Sequence, residues 1–526
     1  MMYTSMPIAS SYGHIINGEL VFSEKTASVF NPATGLHLAD VPVLSSHQLD
    51  EAVTAAELAF PAWASKSYEQ RGGVLLEMAA IIETHANHYK ELLTSEQGKP
   101  HREAIFEIMG AAHWFREVAH LRLPEIIHED TPKRKAVTQH VPLGVTAAIV
   151  PWNFPILLAV WKIAPALLAG NTILVKPSPW TPLTTLCIIA DLQRVLPPGV
   201  LSVVNGDESL GPLIVAHPRI KKIAFTGSIQ TGKSIMQGAS HNLKRITLEL
   251  GGNDPMIILP SVDPKAIVPS IFWGAFTVGL LLSELESLLT FIFIDKNNGQ
   301  FCIAAKRIYI HDSIYESVRD ALVTYARTVV VGDGAQESTQ LGPVQNQKIF
   351  NKLREIFEDT KARRCSFAFG GDFPPVTSDQ VTKPHGLFVP ITIVDNPPED
   401  SLVVQEEQFG PIVPLLRWQD EVDVIRRANA TDFGLGASVW GSDLAQATRI
   451  ASQIESGSKA LFTAVTYLCL RSITDVWVNE IHRFGPTIPG GGHKQSGIGV
   501  ENGVAGLKEW TNYQTISINK GYIMDV

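Results

Sequence analysis

Between Gly144 and Gly252 the chain repeats one unit: a short apolar run, a turn, and a stretch with helical spacing. The runs are Val145–Val150, Thr172–Val175, Leu201–Val204 and Lys222–Phe225. Strands that alternate with helices pair as a parallel sheet joined by crossover helices, so this segment predicts an α/β fold. A second alternation, with runs at Arg307–Ile310, Phe388–Val394 and Ile412–Leu416, predicts a second α/β unit between Cys302 and Val439.

Ahead of the first unit, from Ser46 to Leu123, apolar residues recur at helical spacing, as in Leu49, Val53, Ala56 and Phe60, then Leu75, Met78, Ile81 and Ile82. This predicts a block of amphipathic helices. A length of 526 residues accommodates two to four domains of ordinary size. The polar stretch Pro124–His140 and the alternating terminal stretch Tyr513–Asn519 read as arms, and exposed strands of that kind predict an oligomer.

Composition removes several classes of function. Lys plus Arg number 43 against 52 Asp plus Glu, a net charge of −9, so no global basic field draws the chain to nucleic acid or anionic lipid. The cysteines Cys187, Cys302, Cys365 and Cys469 have neither zinc-site spacing nor disulfide density, which suits a reducing compartment. Met1 to Phe30 holds a single Lys, Lys25, and no apolar run behind positive charge, so the expected location is cytoplasmic. Ile271–Ile294 approaches the length of a membrane span, but Glu284 and Glu286 sit at its centre, at about 2.5–3.5 kcal/mol each. No membrane partner is expected.

Gly227-Ser-Ile-Gln-Thr-Gly232-Lys233-Ser234 matches the phosphate-cradling P-loop pattern and follows an apolar strand. Phe291–Asp295 and Ile391–Asp395 could each supply the magnesium-binding Asp that a nucleotide hydrolase using Lys233 requires. The plainer alternative is a strand-to-helix turn shaped by Gly227 and Gly232, with Lys233 in solvent. Either way, backbone N–H groups at a helix start favour an anionic, nucleotide-like ligand.

Further segments decide between these readings. Pro151-Trp-Asn-Phe-Pro155 follows a strand, and Glu249-Leu-Gly-Gly-Asn-Asp-Pro255 sets a carboxylate beside a glycine pair. Gly299-Gln-Phe-Cys302 is expected to precede a helix, and Glu406-Glu-Gln-Phe-Gly-Pro411 joins two predicted strands. With Phe225-Thr-Gly-Ser228 and Lys176-Pro-Ser178 they form six motifs in order, and from about Ile16 to Lys520 the chain resembles the aldehyde dehydrogenase superfamily, of the hydrolytic, fungal-like type.

The resemblance implies a Rossmann-like dinucleotide-binding domain (1–123 and 144–253), an α/β catalytic domain (254–497) and a small β oligomerisation arm (124–143 and 511–520) of a homodimer or homotetramer. It implies oxidation of an aldehyde to the acid with NAD, or NADP, and no metal. Cys302 would be the nucleophile, since a thiolate adds to a carbonyl to form a thiohemiacetal. A buried, inert cysteine is the plain alternative. Asn153, otherwise a helix cap, would donate to the developing oxyanion. Glu249, otherwise a surface ion-pair carboxylate, would activate water for thioester hydrolysis. Trp152, Lys176, Ser178, Gly227 and Ser228 would contact the cofactor, with Lys176 at the adenosine ribose and Ser228 at the pyrophosphate. Glu407 would hold the nicotinamide ribose and Phe409 would pack near the nicotinamide.

Four departures from the family pattern stand out. Pro179 occupies a position where many NAD-preferring members carry a Glu that grips the ribose 2′-hydroxyl, which keeps NADP in play. Gly490, in Pro489-Gly-Gly-Gly-His-Lys-Gln-Ser-Gly497, replaces an aromatic residue and predicts a wider aldehyde pocket. Nineteen residues, Val278–Lys296, separate Trp273–Thr277 from Asn297–Cys302, and seventeen, Lys459–Asp475, precede Val476–Asn479. Splice signals fit in frame at the edges of both, so they read as translated introns. If both are present in the protein, the chain could instead be a nucleotide-binding pseudoenzyme.

Overall fold

The computed structural model describes residues 12–276, 297–373, 385–456 and 476–521. Both insertion segments, 278–296 and 459–475, lie outside the described residues, as do Cys469, Phe291–Asp295 and most of Ile271–Ile294. No described helix is long and apolar enough to cross a membrane.

The helical block is as expected. Its helices are Ser46–Ala64, Tyr68–Thr84, Ala86–Gln97 and His101–Ala119. The first two start in capping boxes, Ser45 with Gln48 and Ser67 with Gln70, each satisfying two otherwise orphaned N–H groups. Their apolar faces enter a core shared with the helix Pro155–Ala169, of which every residue except Trp161 is buried.

The strands Val145–Ile149, Thr172–Lys176, Leu201–Val203, Lys222–Thr226 and Arg245–Glu249 form the parallel part of an eight-stranded sheet. Val145–Ile149 lies at its middle, pairing with Thr172–Lys176 on one side and Lys222–Thr226 on the other. Strand order therefore reverses between Val145–Ile149 and Lys222–Thr226, opening a crevice at their carboxyl ends. Gly497–Ile498 closes one edge of this sheet antiparallel to Arg245–Glu249.

A second sheet has seven strands in the spatial order Ser366–Phe369, Thr392–Asp395, Ile412–Trp418, Ala305–His311, Asp254–Ile258, Ala437–Trp440 and Val476–Val478. All pairs are parallel except the first. The strand expected over Phe388–Val394 is confined to Thr392–Asp395, because Pro390 has no N–H to give a ladder. The helix expected after Cys302 is absent: the strand Ala305–His311 begins three residues on, driven by its apolar, β-branched and aromatic residues. Ile126–Asp130, Arg134–Pro142 and Thr511–Asn519 form a separate antiparallel sheet, with Arg134–Pro142 central.

Candidate active site

Seven of the singled-out residues sit at or just beyond carboxyl ends in the first sheet. Val145–Ile149 runs into Trp152 and Asn153, Thr172–Lys176 ends on Lys176 ahead of Ser178, Lys222–Thr226 leads to Gly227 and Ser228, and Arg245–Glu249 ends on Glu249. The Gly227 N–H donates to the Glu249 carbonyl at 3.0 Å, tying the last two ends together. Ser228 caps the helix Ile229–Ser240 through the Thr231 N–H. Lys233 is exposed on that helix, and Asp395 accepts from Tyr315 and Arg319 in the other sheet. The P-loop motif is thus a strand-to-helix turn, with no magnesium-binding partner in Asp395.

The crevice suits a dinucleotide. Lys176 is buried, and desolvation pulls its ammonium down to about 8. At the same edge the buried Thr226 hydroxyl has no partner among the described residues. The Thr226 hydroxyl and the Lys176 ammonium, at the ends of the two strands that flank Val145–Ile149, are donors for an anionic, hydroxyl-rich ligand, next to a helix start that Ser228 caps.

Asn153 does not cap the following helix, whose cap position is Phe154. Its side-chain N–H instead donates to the Gln300 carbonyl at 3.1 Å, two residues before Cys302. Asn297 returns the link by donating to the Asn153 carbonyl at 2.8 Å, and Gln97 donates to Asn297 at 2.8 Å. Asn153 is thereby held, buried, against the Cys302 loop.

The glycine pair after Glu249 brings the second set of residues in. A Cβ on Gly252 would collide with the Cys302 carbonyl, and one on Gly251 would lie 2.7 Å from Glu407 Oε2. The Gly252 N–H donates to Glu407 Oε1 at 2.9 Å. At Gly252 the clash is with backbone, so only a residue without a side chain there lets the Glu249 turn pack on Cys302, while at Gly251 a side chain would press on the Glu407 carboxylate. Phe409 follows in a left-handed conformation, φ 56°, its ring 5.4 Å from Trp152 and edge-on. Ser496 supports the turn from behind, donating to the Gly251 carbonyl at 2.7 Å.

Electrostatics oppose ionisation here. Burial raises the Cys302 thiol well above the ordinary range, and Glu407, Asp254 and Glu249 add to the rise. Burial also pushes Glu407 up to about 7, against the pull of Lys352. A cationic ring placed beside Cys302 would favour the thiolate by the same Coulomb argument.

Several residues of this neighbourhood carry no local sequence signal. Lys99 and Glu107 form a fully buried ion pair at 2.6 Å, and Glu107 also accepts from the N–H groups of Ile156 and Leu157. Lys162 pairs with Glu501 at 2.8 Å. His482, whose imidazole burial depresses to about 4, bonds through Nε2 to the Ile303 carbonyl. Beside Cys302 runs an aromatic wall in which Phe301 meets Phe154 and Phe484, while Trp161 meets Phe484 and stacks on Trp114.

A family model described as "Aldehyde dehydrogenase family" matches residues 21–279 and 285–516. The chain is 37% identical over 511 residues to aldehyde dehydrogenase LUC3 of Fusarium, covering 97% of this chain and 99% of that protein. It is 35% identical over 517 residues to phenylacetaldehyde dehydrogenase of Pseudomonas fluorescens, covering 94% and 93%. Among solved structures, betaine aldehyde dehydrogenase of Staphylococcus aureus in complex with NAD+ superposes with a TM-score of 0.86 at 30% identity, covering 98% of this chain and 96% of that one.

Proposed function

The chain belongs to the aldehyde dehydrogenase family, an NAD(P)-dependent oxidoreductase that converts an aldehyde to its carboxylic acid, and we propose that Cys302, Asn153 and Glu249 carry the chemistry. The Cys302 thiolate adds to the aldehyde carbon. The oxyanion that develops accepts hydrogen bonds from Asn153 Nδ2 and the Cys302 N–H, which stabilise it more than the planar carbonyl. The bound nicotinamide supplies the hydride acceptor. Glu249 then takes a proton from water, the hydroxide adds to the thioester carbon, and Cys302 leaves as thiolate with the acid released.

One observation carries this reading. Gly251 and Gly252 let the Glu249 turn pack directly on Cys302 and Glu407, so base, nucleophile and ribose-binding carboxylate share one space. Trp152, Lys176, Ser178, Gly227, Ser228, Glu407 and Phe409 hold the dinucleotide in this reading, and Pro179 leaves the 2′ position without a repelling carboxylate.

The same reading divides the chain into a dinucleotide-binding domain (1–123 and 144–253), a catalytic domain (254–497) and an arm (124–143 and 511–520). Supporting it are the two large sheets and the separate three-stranded one. Thr511–Asn519 is an open edge strand with Ile516 and Ile518 exposed, which supports a homodimer or homotetramer. A cytoplasmic location follows the cysteine usage.

The test is NAD(P)H formation with a panel of aldehydes, measured with NAD and NADP separately. Cys302→Ala should abolish it, and Glu249→Gln should leave a single burst of reduced cofactor without turnover, because the thioester persists. Steady turnover by Cys302→Ala would overturn the assignment.

A further inference from the structure

Lys306 lies four residues beyond Cys302, at the second position of the strand Ala305–His311, and it is 1% exposed. Ala305, Ile308 and Ile310 of the same strand are core residues, and Lys306 stands in the register shift between Ala305 and Arg307, where a buried side chain is ordinarily apolar. An ammonium there is costly unless it is doing something that a hydrocarbon cannot. Burial lowers it to about 7, with Glu407 pulling the other way.

Its Nζ donates to the Gly410 carbonyl at 2.7 Å, the one hydrogen bond of that ammonium among the described residues. Gly410 directly follows Phe409, the residue held at φ 56° with its ring against Trp152. On the other side of the same ammonium is the loop that ends in Cys302. A Cβ on Gly299 would stand 2.6 Å from Lys306 Nζ and 2.5 Å from the Gly410 carbonyl. Gly299, Lys306 and Gly410 therefore meet at one point, joining the nucleophile loop to the turn that carries Glu407 and Phe409. Gln408 adds a weaker tie, its side chain donating to the Lys306 carbonyl at 3.4 Å. From the far side Lys352 donates to the Glu407 carbonyl. The turn is thus gripped at both ends, at its start by a half-exposed lysine and at its end by a buried one.

We propose that Lys306 is a positioning residue that fixes the Glu407–Gly410 turn against the Cys302 loop, and so sets the distance between the nicotinamide and the carbon that gives up the hydride. The proposal rests on the dehydrogenase reading above. Without the Nζ bond the Gly410 carbonyl keeps only the Ile412 N–H at 2.9 Å, a contact within its own stretch of chain, so the turn loses its tie to the Cys302 loop and cofactor placement loosens while the thiol and its base stay where they are. A misplacement of about 1 Å at a reacting centre is enough to cost up to 10²-fold in rate.

The experiment compares wild type, Lys306→Met and Lys306→Gln in three measurements. In the first, NAD binding is followed by quenching of protein fluorescence. The second is aldehyde oxidation with ordinary and C1-deuterated aldehyde. The third is hydrolysis of p-nitrophenyl acetate without cofactor, which needs only the nucleophile and the base. Lys306→Met should weaken NAD binding about tenfold, lower kcat at least tenfold and raise the deuterium isotope effect, with ester hydrolysis changed less than threefold. Lys306→Gln, which retains a donor, should fall between Met and wild type. Equal losses in ester hydrolysis and oxidation would make Lys306 an ordinary folding residue and overturn the proposal, as would unchanged NAD binding or failure of both variants to fold. Absence of aldehyde oxidation in the wild type would instead defeat the dehydrogenase reading itself.

Discussion

The carbonyl of Phe276 accepts a hydrogen bond of 2.8 Å from the N–H of Gly299. Phe276 closes the helix Val268–Phe276, and Gly299 opens the loop to Cys302. Counted without residues 278–296, the two are four positions apart, the spacing of an α-helical hydrogen bond. The frame of the active site is therefore closed by the residues on either side of the first insertion.

Deleting 278–296 and 459–475 together should leave a chain that folds and turns over aldehyde at least as fast as the full-length form, with a higher melting temperature. Thermal unfolding and steady-state kinetics on both forms check this, beside sequencing of the mature transcript. A deletion variant that fails to fold, or a transcript encoding both segments, would show that they are genuine parts of the protein. Full-length protein that binds NAD yet oxidises no aldehyde, beside an active deletion variant, would mark the longer form as a pseudoenzyme.

Asn153→Ala should lower kcat by about 10²–10³-fold, the usual cost of one oxyanion donor. Because Asn153 bonds the Cys302 loop and no proposed cofactor group, the NAD dissociation constant should change little. Equilibrium binding and kcat measured on one preparation separate the two.

Lys99→Met should destabilise the fold by about 3–5 kcal/mol, since it strands the buried Glu107 carboxylate. Glu107 also fixes the N–H groups of Ile156 and Leu157 behind Asn153, so activity at low temperature should drop as well. Urea unfolding monitored by tryptophan fluorescence gives the first quantity.

Alkylation of Cys302 by iodoacetamide in the cofactor-free protein should remain slow at pH 8 and keep rising through the range where an ordinary thiol has levelled off. The sign follows from burial and three carboxylates, which all disfavour the thiolate. Glu407→Gln removes one of these charges and should move the profile to lower pH, and a shift to higher pH would contradict this account.

Gly490→Phe should raise KM for bulky aldehydes at least several-fold and leave acetaldehyde nearly unaffected. The position has no left-handed backbone requirement, and its backbone pairs with Glu501, so the backbone itself does not forbid a side chain there. Equal effects on small and large aldehydes would show that this position does not line the pocket.

Much of this was legible in the residues alone. Apolar runs between Gly144 and Gly252 determined a parallel sheet, and the order of the motifs picked out side chains that the structure gathers at the ends of its strands and beside the Cys302 loop, because strand and turn chemistry is local. The tertiary structure decided the rest. It turned the P-loop match into a capped helix start with Lys233 in solvent, and it put a strand, not a helix, behind Cys302. It also brought together partners far apart in the chain: Lys162 with Glu501, Gly252 with Glu407, and Lys306 with Gly410. A buried lysine looks in sequence like any surface lysine. Its partner is chosen by which loops pack face to face, and that depends on the whole core, not on spacing.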